Sequence, residues 1–344
     1  MNGQHTYQEI TTQPTAWEDA LTAFAGIAPT LKASWQALDA NQVLFIGCGS
    51  THYLSLAAAA LFQQTTGVAA RAVPSSELLL FDKTVVADPA RTLLVAISRS
   101  GTTTETITAV SKFQQQGGAA VWTITCYPES PLAQLSNIVL PTVAAQEQSV
   151  AQTRSFASMM IMAQALAAHL GGQDWTVLHE LPEYGRTLID QTNDTVQALA
   201  QRTDLARFTF LGSGPQYGIA SEAMLKMTEM SLTVAYAFHF MEYRHGPMSM
   251  ANSEAAIIGL LSPTATTHEK QVLDEMAANG AVTLAISPAG SGISLPDNLP
   301  VWAYPVLYLP PLQLLAYHRS IAKGLDPDNP RNLTAVVYLD TAAF

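Results

Sequence analysis

Two segments of this chain are built alike. Residues 43–49 read Val-Leu-Phe-Ile-Gly-Cys-Gly and residues 208–214 read Phe-Thr-Phe-Leu-Gly-Ser-Gly, each a short apolar run closed by Gly-X-Gly. A second apolar run ending in serine follows each, at 93–98 and 257–262; Gly47 precedes Ser98 by 51 residues and Gly212 precedes Ser262 by 50. Helical periodicity then covers 103–115 and 268–279, and after a glycine a further strand pattern occupies 120–125 and 282–287. Short apolar strands alternating with helices require parallel pairing, because each helix must carry the chain back across the sheet. The fold class is therefore α/β, with two tandem units, each a doubly wound, mostly parallel sheet flanked by helices.

The expected organisation is an N-terminal helical segment at 1–40, a first unit at 41–172, a second unit with its preceding helix at 173–330, and a tail at 331–344. Helical patterns at 17–38 and 178–202 precede the units and are expected to pack across them. The stretches 288–292 and Pro310-Pro311 read as turns.

Hydrophobic residues make up 48% of the 344 and charged residues 12%, which suits a compact enzyme. A formal net charge of −11 offers no basic footprint for nucleic acid, so no nucleic-acid partner is expected. Backbone donors can still hold one small anion in an acidic protein. Cys48 and Cys126, the only cysteines, read as small buried hydrophobes and not as nucleophiles or metal ligands. The N-terminus lacks the basic and apolar segments of a signal peptide, and the longest apolar run, 54–62, is too short to span a bilayer. A soluble cytoplasmic protein with no membrane partner follows. No cofactor is expected: Gly47-X-Gly49 lacks the third glycine and the acidic residue of a nicotinamide fingerprint, with Tyr53 near the glycine's place.

In parallel sheets ligands gather beyond the carboxyl ends of the strands, where helix N-termini present amide donors. Gly49-Ser50-Thr51 leaves the first strand, and Ser98-Arg99-Ser100-Gly101-Thr102-Thr103 leaves the later one. A hydroxyl-rich turn is usually a helix cap, but two in register at neighbouring strand ends suit a phosphate. The matching turn of the second unit, Ser262-Pro263-Thr264-Ala265-Thr266, has a proline where an amide donor is needed. The first unit is thus expected to hold phosphate and the second to supply chemistry.

The candidate chemistry lies on one helix. Glu222, Lys226 and Glu229 recur at i, i+4 and i+7 in an apolar run, so they share a face, and His245-Gly246-Pro247 begins sixteen residues after Glu229. The row reads either as a solvated salt-bridge face or as a proton-transfer site beside a histidine. Glu242 and Arg244 either orient His245 or form a surface ion pair; His239 reads as structural or exposed, and Tyr317 and His318 as a core aromatic and a helix-end residue or as neighbours of the site.

Taken together, these residues resemble the sugar isomerase (SIS) family, with two SIS units in tandem. The chain is most similar to the isomerase domain of glucosamine-6-phosphate synthase and to free-standing phosphosugar isomerases, aminosugar-phosphate deaminases and ketosamine-phosphate deglycases. The resemblance runs from about Val43 to Asp340. It is carried by the segments 97–105, 221–231, 244–247, 314–318 and 328–333.

By that resemblance Ser50, Thr51, Ser98, Arg99, Ser100 and Thr103 surround a sugar phosphate, and Val150, Gln152, Glu222 and Lys226 border the sugar. Glu229 matches the glutamate that moves a proton between C1 and C2, and His245 the histidine tied to ring opening. In the synthases that histidine reaches a neighbouring subunit's site, which implies a homodimer with a shared active site. The implied partner is a hexose or aminosugar 6-phosphate. Two departures stand out. The chain starts with Asn2 and the SIS region, so a glutaminase route to ammonia is not expected. The synthases' ketose-binding tail lysine is replaced by Ala335, which favours a noncovalent isomerase, deaminase or deglycase. The competing reading is a noncatalytic phosphosugar sensor, though no helix-turn-helix extension or basic patch accompanies it.

Overall fold

The computed structural model describes residues 2–288, 290 and 292–340. Ten strands form two parallel sheets. The first contains β1 (Gln42–Gly47), β2 (Ala69–Pro74), β3 (Thr92–Ile97), β4 (Ala120–Thr125) and β5 (Ile138–Pro141), in the order β2-β1-β3-β4-β5. The second contains β6 (Arg207–Gly212), β7 (Val234–Phe238), β8 (Ala255–Leu260), β9 (Val282–Ser287) and β10 (Ile293–Ser294), in the order β10-β9-β8-β6-β7. Element for element this is the same order, 2-1-3-4-5, so the sequence repeat is a structural one.

The chain forms two compact units. An N-terminal unit comprises 15–147, 154–179 and 334–340; a C-terminal unit comprises 2–14, 148–153 and 180–333. In the N-terminal unit β3 and β4 are buried at every position, as apolar strands covered on both faces must be. Leu44, Ile46, Leu94 and Val121 of this sheet pack with Val110 and Phe113 of the Thr104–Gln115 helix. In the C-terminal unit Leu211 and Ile257 pack with Val272, Leu273 and Met276 of the Thr266–Ala278 helix. The Arg154–Leu170 helix is apolar nearly all round, and fourteen of its residues are buried. Among the described residues no helix is long and apolar enough to cross a membrane.

Two expectations need correction. The first helix spans Gln4–Ala37, beginning thirteen residues before the expected Trp17 and running through Pro14. Proline there removes the donor that the Ile10 carbonyl would receive, and the Gln13 side chain supplies a replacement at 2.8 Å. The helix start is capped by the tail: Asp328 accepts the Thr6 amide at 2.7 Å, and Asp326 accepts the Gly3 amide at 2.9 Å. Pro310-Pro311, read as a turn, opens the Leu309–Ala322 helix instead. First-turn positions need no amide donor, so proline is tolerated there.

Both units turn from strand to helix through the same tight approach. A Cβ on Gly47 would lie 2.4 Å from the Thr51 backbone, and one on Gly212 would lie 2.4 Å from the Gln216 carbonyl oxygen. Glycine is required at each because the opposing atoms are main chain. Gly47→Ala is therefore expected to cost about 1–3 kcal/mol in urea unfolding. Gly26→Ala, on an exposed helix face with open space around it, should be neutral or stabilise by about 0.5–1 kcal/mol.

Candidate functional site

In each sheet the crossovers depart in opposite directions from a central pair, β1 with β3 and β6 with β8. The crevice at that switch point is where parallel sheets bind ligands. In the N-terminal unit, Gly49 (φ 56°) turns the chain into the Ser50–Thr66 helix. The Thr51 hydroxyl closes the turn, accepting from the Cys48 amide at 2.9 Å and donating to its carbonyl at 3.0 Å. Thr51 thereby shapes the loop, with Ser50 buried beside it.

From β3 the chain enters the second loop. The Ser98 hydroxyl accepts from the Gly101 amide at 3.1 Å, and the Ser100 hydroxyl accepts from the Thr102 amide at 3.2 Å. Gly101 (φ 63°) is pressed so closely on Ser130 that a Cβ would lie 1.9 Å from its hydroxyl oxygen. Thr103 precedes the Thr104–Gln115 helix, yet its side chain makes no capping bond. A simple helix cap does not describe this residue. The loop thus presents hydroxyls and helix-start amides at the switch point.

Arg99 takes a different course. Its buried guanidinium pairs with Glu147 at 3.4 Å and donates to the Ala335 carbonyl at 3.1 Å. Glu147 in turn accepts the amide (3.1 Å) and the hydroxyl of Ser155. The Leu339 amide donates to Thr104 at 3.2 Å, so the tail lies along the loop within this unit.

The C-terminal unit holds the ionisable row on the Pro215–Ser231 helix. Lys226 lies 3.0 Å from Glu222 and in direct contact with Glu229. The Lys226 and Glu222 side chains are each 1% exposed and that of Glu229 is 14% exposed, so this is no solvated face. Burial acts most strongly on Lys226 and disfavours its charge, but the two carboxylates outweigh it and raise its pKa. Removing one partner of a buried pair leaves an uncompensated charge, at a typical cost of about 3–5 kcal/mol. The row is locked in place, with Glu229 at its open end.

His245 is exposed, on the turn after the Phe240–Tyr243 helical turn. Arg244 makes a two-pronged bond with Glu275, at 2.7 and 2.6 Å, which settles it as an ion-pair residue. His239 stacks on Tyr217 with ring centroids 3.8 Å apart, and His318 bonds Asn193 at 2.9 Å. The Val150 amide donates to the Asp328 carbonyl at 3.1 Å, and Gln152 lies two residues further on. Among the described residues no three His, Cys, Asp or Glu side chains converge as metal ligands. Burial pushes the Cys126 thiol up to about 12, away from nucleophile chemistry.

Sequence reasoning missed several buried carboxylates. The clearest is Glu269, seven residues after Ser262 as Glu105 is seven after Ser98. The turn itself is repeated, since the Ser262 hydroxyl accepts from the Ala265 amide at 3.1 Å. Here Glu269 folds back, accepting the Ser262 amide at 2.5 Å and its hydroxyl at 3.2 Å. The second unit fills its own loop with a carboxylate. The seven-residue spacing was the signal available in the sequence.

A family model described as SIS domain matches residues 38–169 and 204–293. Among curated relatives, glutamine–fructose-6-phosphate aminotransferase (isomerizing) from Methanothermobacter thermautotrophicus is 27% identical over 345 residues, and that from Pyrobaculum aerophilum 30% over 353. The alignments cover 97% of this chain but 57% of each relative, so the chain spans little more than half their length. Glucosamine-6-phosphate deaminase from Thermotoga maritima has a similar structure, with TM-score 0.83, 27% identity, and coverage of 98% of this chain and 100% of that one. Tagatose-6-phosphate ketose/aldose isomerase from Escherichia coli shares the fold at TM-score 0.86 and 23% identity, with 95% of both chains covered.

Glu269 also makes stability depend on pH. Burial raises its pKa to about 7, above the ordinary 4.5, so the fold favours the protonated acid. Its contribution is complete below about pH 4.5 and is lost as pH rises through 7, a change of up to about 3 kcal/mol. Urea unfolding from pH 5 to 8 should show this loss in the wild type and a flatter profile in Glu269→Gln.

Proposed function

This chain belongs to the SIS domain family, and from that premise we propose that it is an enzyme moving a proton between C1 and C2 of a hexose or aminosugar 6-phosphate. It acts as an aldose–ketose isomerase or as an aminosugar- or ketosamine-phosphate deaminase (deglycase). One observation carries the reading: a buried carboxylate–ammonium–carboxylate row ends in a single partly exposed member, Glu229. Charges are buried at a cost that surface ion pairing would avoid, and such an arrangement favours a functional role.

The roles follow from the chemistry of each group. Main-chain amides and hydroxyls of the 98–103 loop hold the phosphate, aided by the helix start behind them. Glu229 takes the proton beside the carbonyl or imine carbon, giving an enediol or enolamine, and returns it to the neighbouring carbon. Its Oε1 is held by Lys226, leaving Oε2 to meet the substrate. His245, whose imidazole can give or take a proton at a ring nitrogen, opens the ring. Isomerisation and deamination share these early steps and divide only when an amine leaves. The Thermotoga deaminase, similar along its whole length, supports the amine-releasing branch. Ala335 has no amine with which to bind a ketose covalently, which also argues for a noncovalent route.

Glu229→Gln should lower turnover and C1/C2 proton exchange with solvent by about 10²–10⁴-fold, with phosphosugar affinity retained. A panel of 6-phosphorylated ketoses, aminosugars and ketosamines, followed separately for exchange and amine release, identifies the branch. If the wild type binds such sugars without turnover or exchange on any of them, the protein is a sensor.

We further propose a homodimer in which His245, exposed on its own chain, completes the partner's site. Mixing Glu229→Gln with His245→Ala chains should then restore about a quarter of wild-type activity, the share expected when half the dimers each carry one intact site. Two inactive variants that stay inactive on subunit exchange would show that the site is not shared.

A further inference from the structure

The segment 148–153 carries Val150 and Gln152, and within the C-terminal unit it is tied to both ends of the chain. Glu9, on the Gln4–Ala37 helix and only 4% exposed, accepts the amides of Gln148 at 2.6 Å and Ser149 at 3.3 Å, together with the Ser149 hydroxyl. The next amide, that of Val150, goes to the Asp328 carbonyl at 3.1 Å. The Asp328 carboxylate meanwhile accepts the amides of His5 at 3.1 Å and Thr6 at 2.7 Å, and the Thr6 hydroxyl at 2.7 Å. Three successive amides of the segment are thus assigned to fixed acceptors.

We infer that Glu9 is a positioning residue of the sugar site, setting the direction in which Val150 and Gln152 are presented. A carboxylate gathering two amides and a hydroxyl forms stronger bonds than a neutral acceptor, and its burial is tolerated because those donors converge on it. The segment has no strand or helix pairing of its own, so bonds such as these, with that from Gln313 to the Thr153 carbonyl at 3.0 Å, hold its conformation. The Gln152 Oε1 atom is buried and accepts no hydrogen bond from the described residues. That is the state of an acceptor whose donor arrives with a ligand, and a sugar hydroxyl is such a donor. The inference rests on the phosphosugar reading above only for the identity of that ligand.

The test uses the full chain with Glu9→Ala and Glu9→Gln, each checked for folding by circular dichroism. Hydrogen exchange of the amides at 148–150 is measured beside KM, kcat and calorimetric affinity for a 6-phosphosugar. In Glu9→Ala the exchange should rise at least about tenfold and KM should rise about tenfold, with the smaller change in kcat. Glu9→Gln keeps one acceptor oxygen and should shift both quantities in the same direction by less. Faster exchange with unchanged KM and affinity makes Glu9 merely structural and overturns the inference; unchanged exchange in a folded variant overturns it too. If Glu9→Ala does not fold, the same criteria apply to Glu9→Gln. A wild type that neither binds nor converts any 6-phosphosugar rejects the functional reading, while exchange alone decides whether Glu9 orders the segment.

Discussion

Everything in this molecule depends on how closely a helix can approach the strand that feeds it. At Gly47 and Gly212 the limit is set by main-chain atoms, with no room for a Cβ. The Ser50–Thr66 and Pro215–Ser231 helices therefore start within three residues of the ends of β1 and β6. The loops after β1 and β3 carry short side chains, serine and threonine, which lose less conformational entropy when fixed than long ones do.

On this twofold scaffold the units have been specialised by small substitutions. The 98–103 loop keeps glycine at the left-handed position of Gly101 and surrounds itself with hydroxyls. The equivalent turn has proline at 263 and receives the Glu269 carboxylate. A buried carboxyl that accepts from this amide and hydroxyl takes up the donors that a bound anion would use. The proline expected to weaken this loop therefore accompanies a more direct cause.

Much of this was legible in the sequence because it was local. The strands at 120–125 and 282–287 were read to the residue, since a parallel strand inside a sheet is a mostly apolar run bounded by turn residues. The Glu222–Lys226–Glu229 row was legible from helical spacing, although its burial was not. What escaped reading depends on partners distant in the chain. The start of the first helix at Gln4 escaped reading, and the Gln13 bond that compensates for Pro14 is a matter of side-chain geometry. Glu9 was invisible because its partners lie about 140 residues away; Arg99 was read as a loop residue, but its bond to Ala335, 236 residues on, was not. A single sequence gives no sign that such charges converge.

The capping of the first helix by Asp326 and Asp328 bears on the order in which the chain can be assembled. The amides of Gly3, His5 and Thr6 are synthesised more than 320 residues before their acceptors. Most of the N-terminal sheet can form as it is synthesised, because β1 to β5 pair among neighbours in the chain. The C-terminal unit cannot close until Asp326 and Asp328 have been translated. The first turn of the Gln4–Ala37 helix stays uncapped until then, and completion of this unit is an event of high contact order.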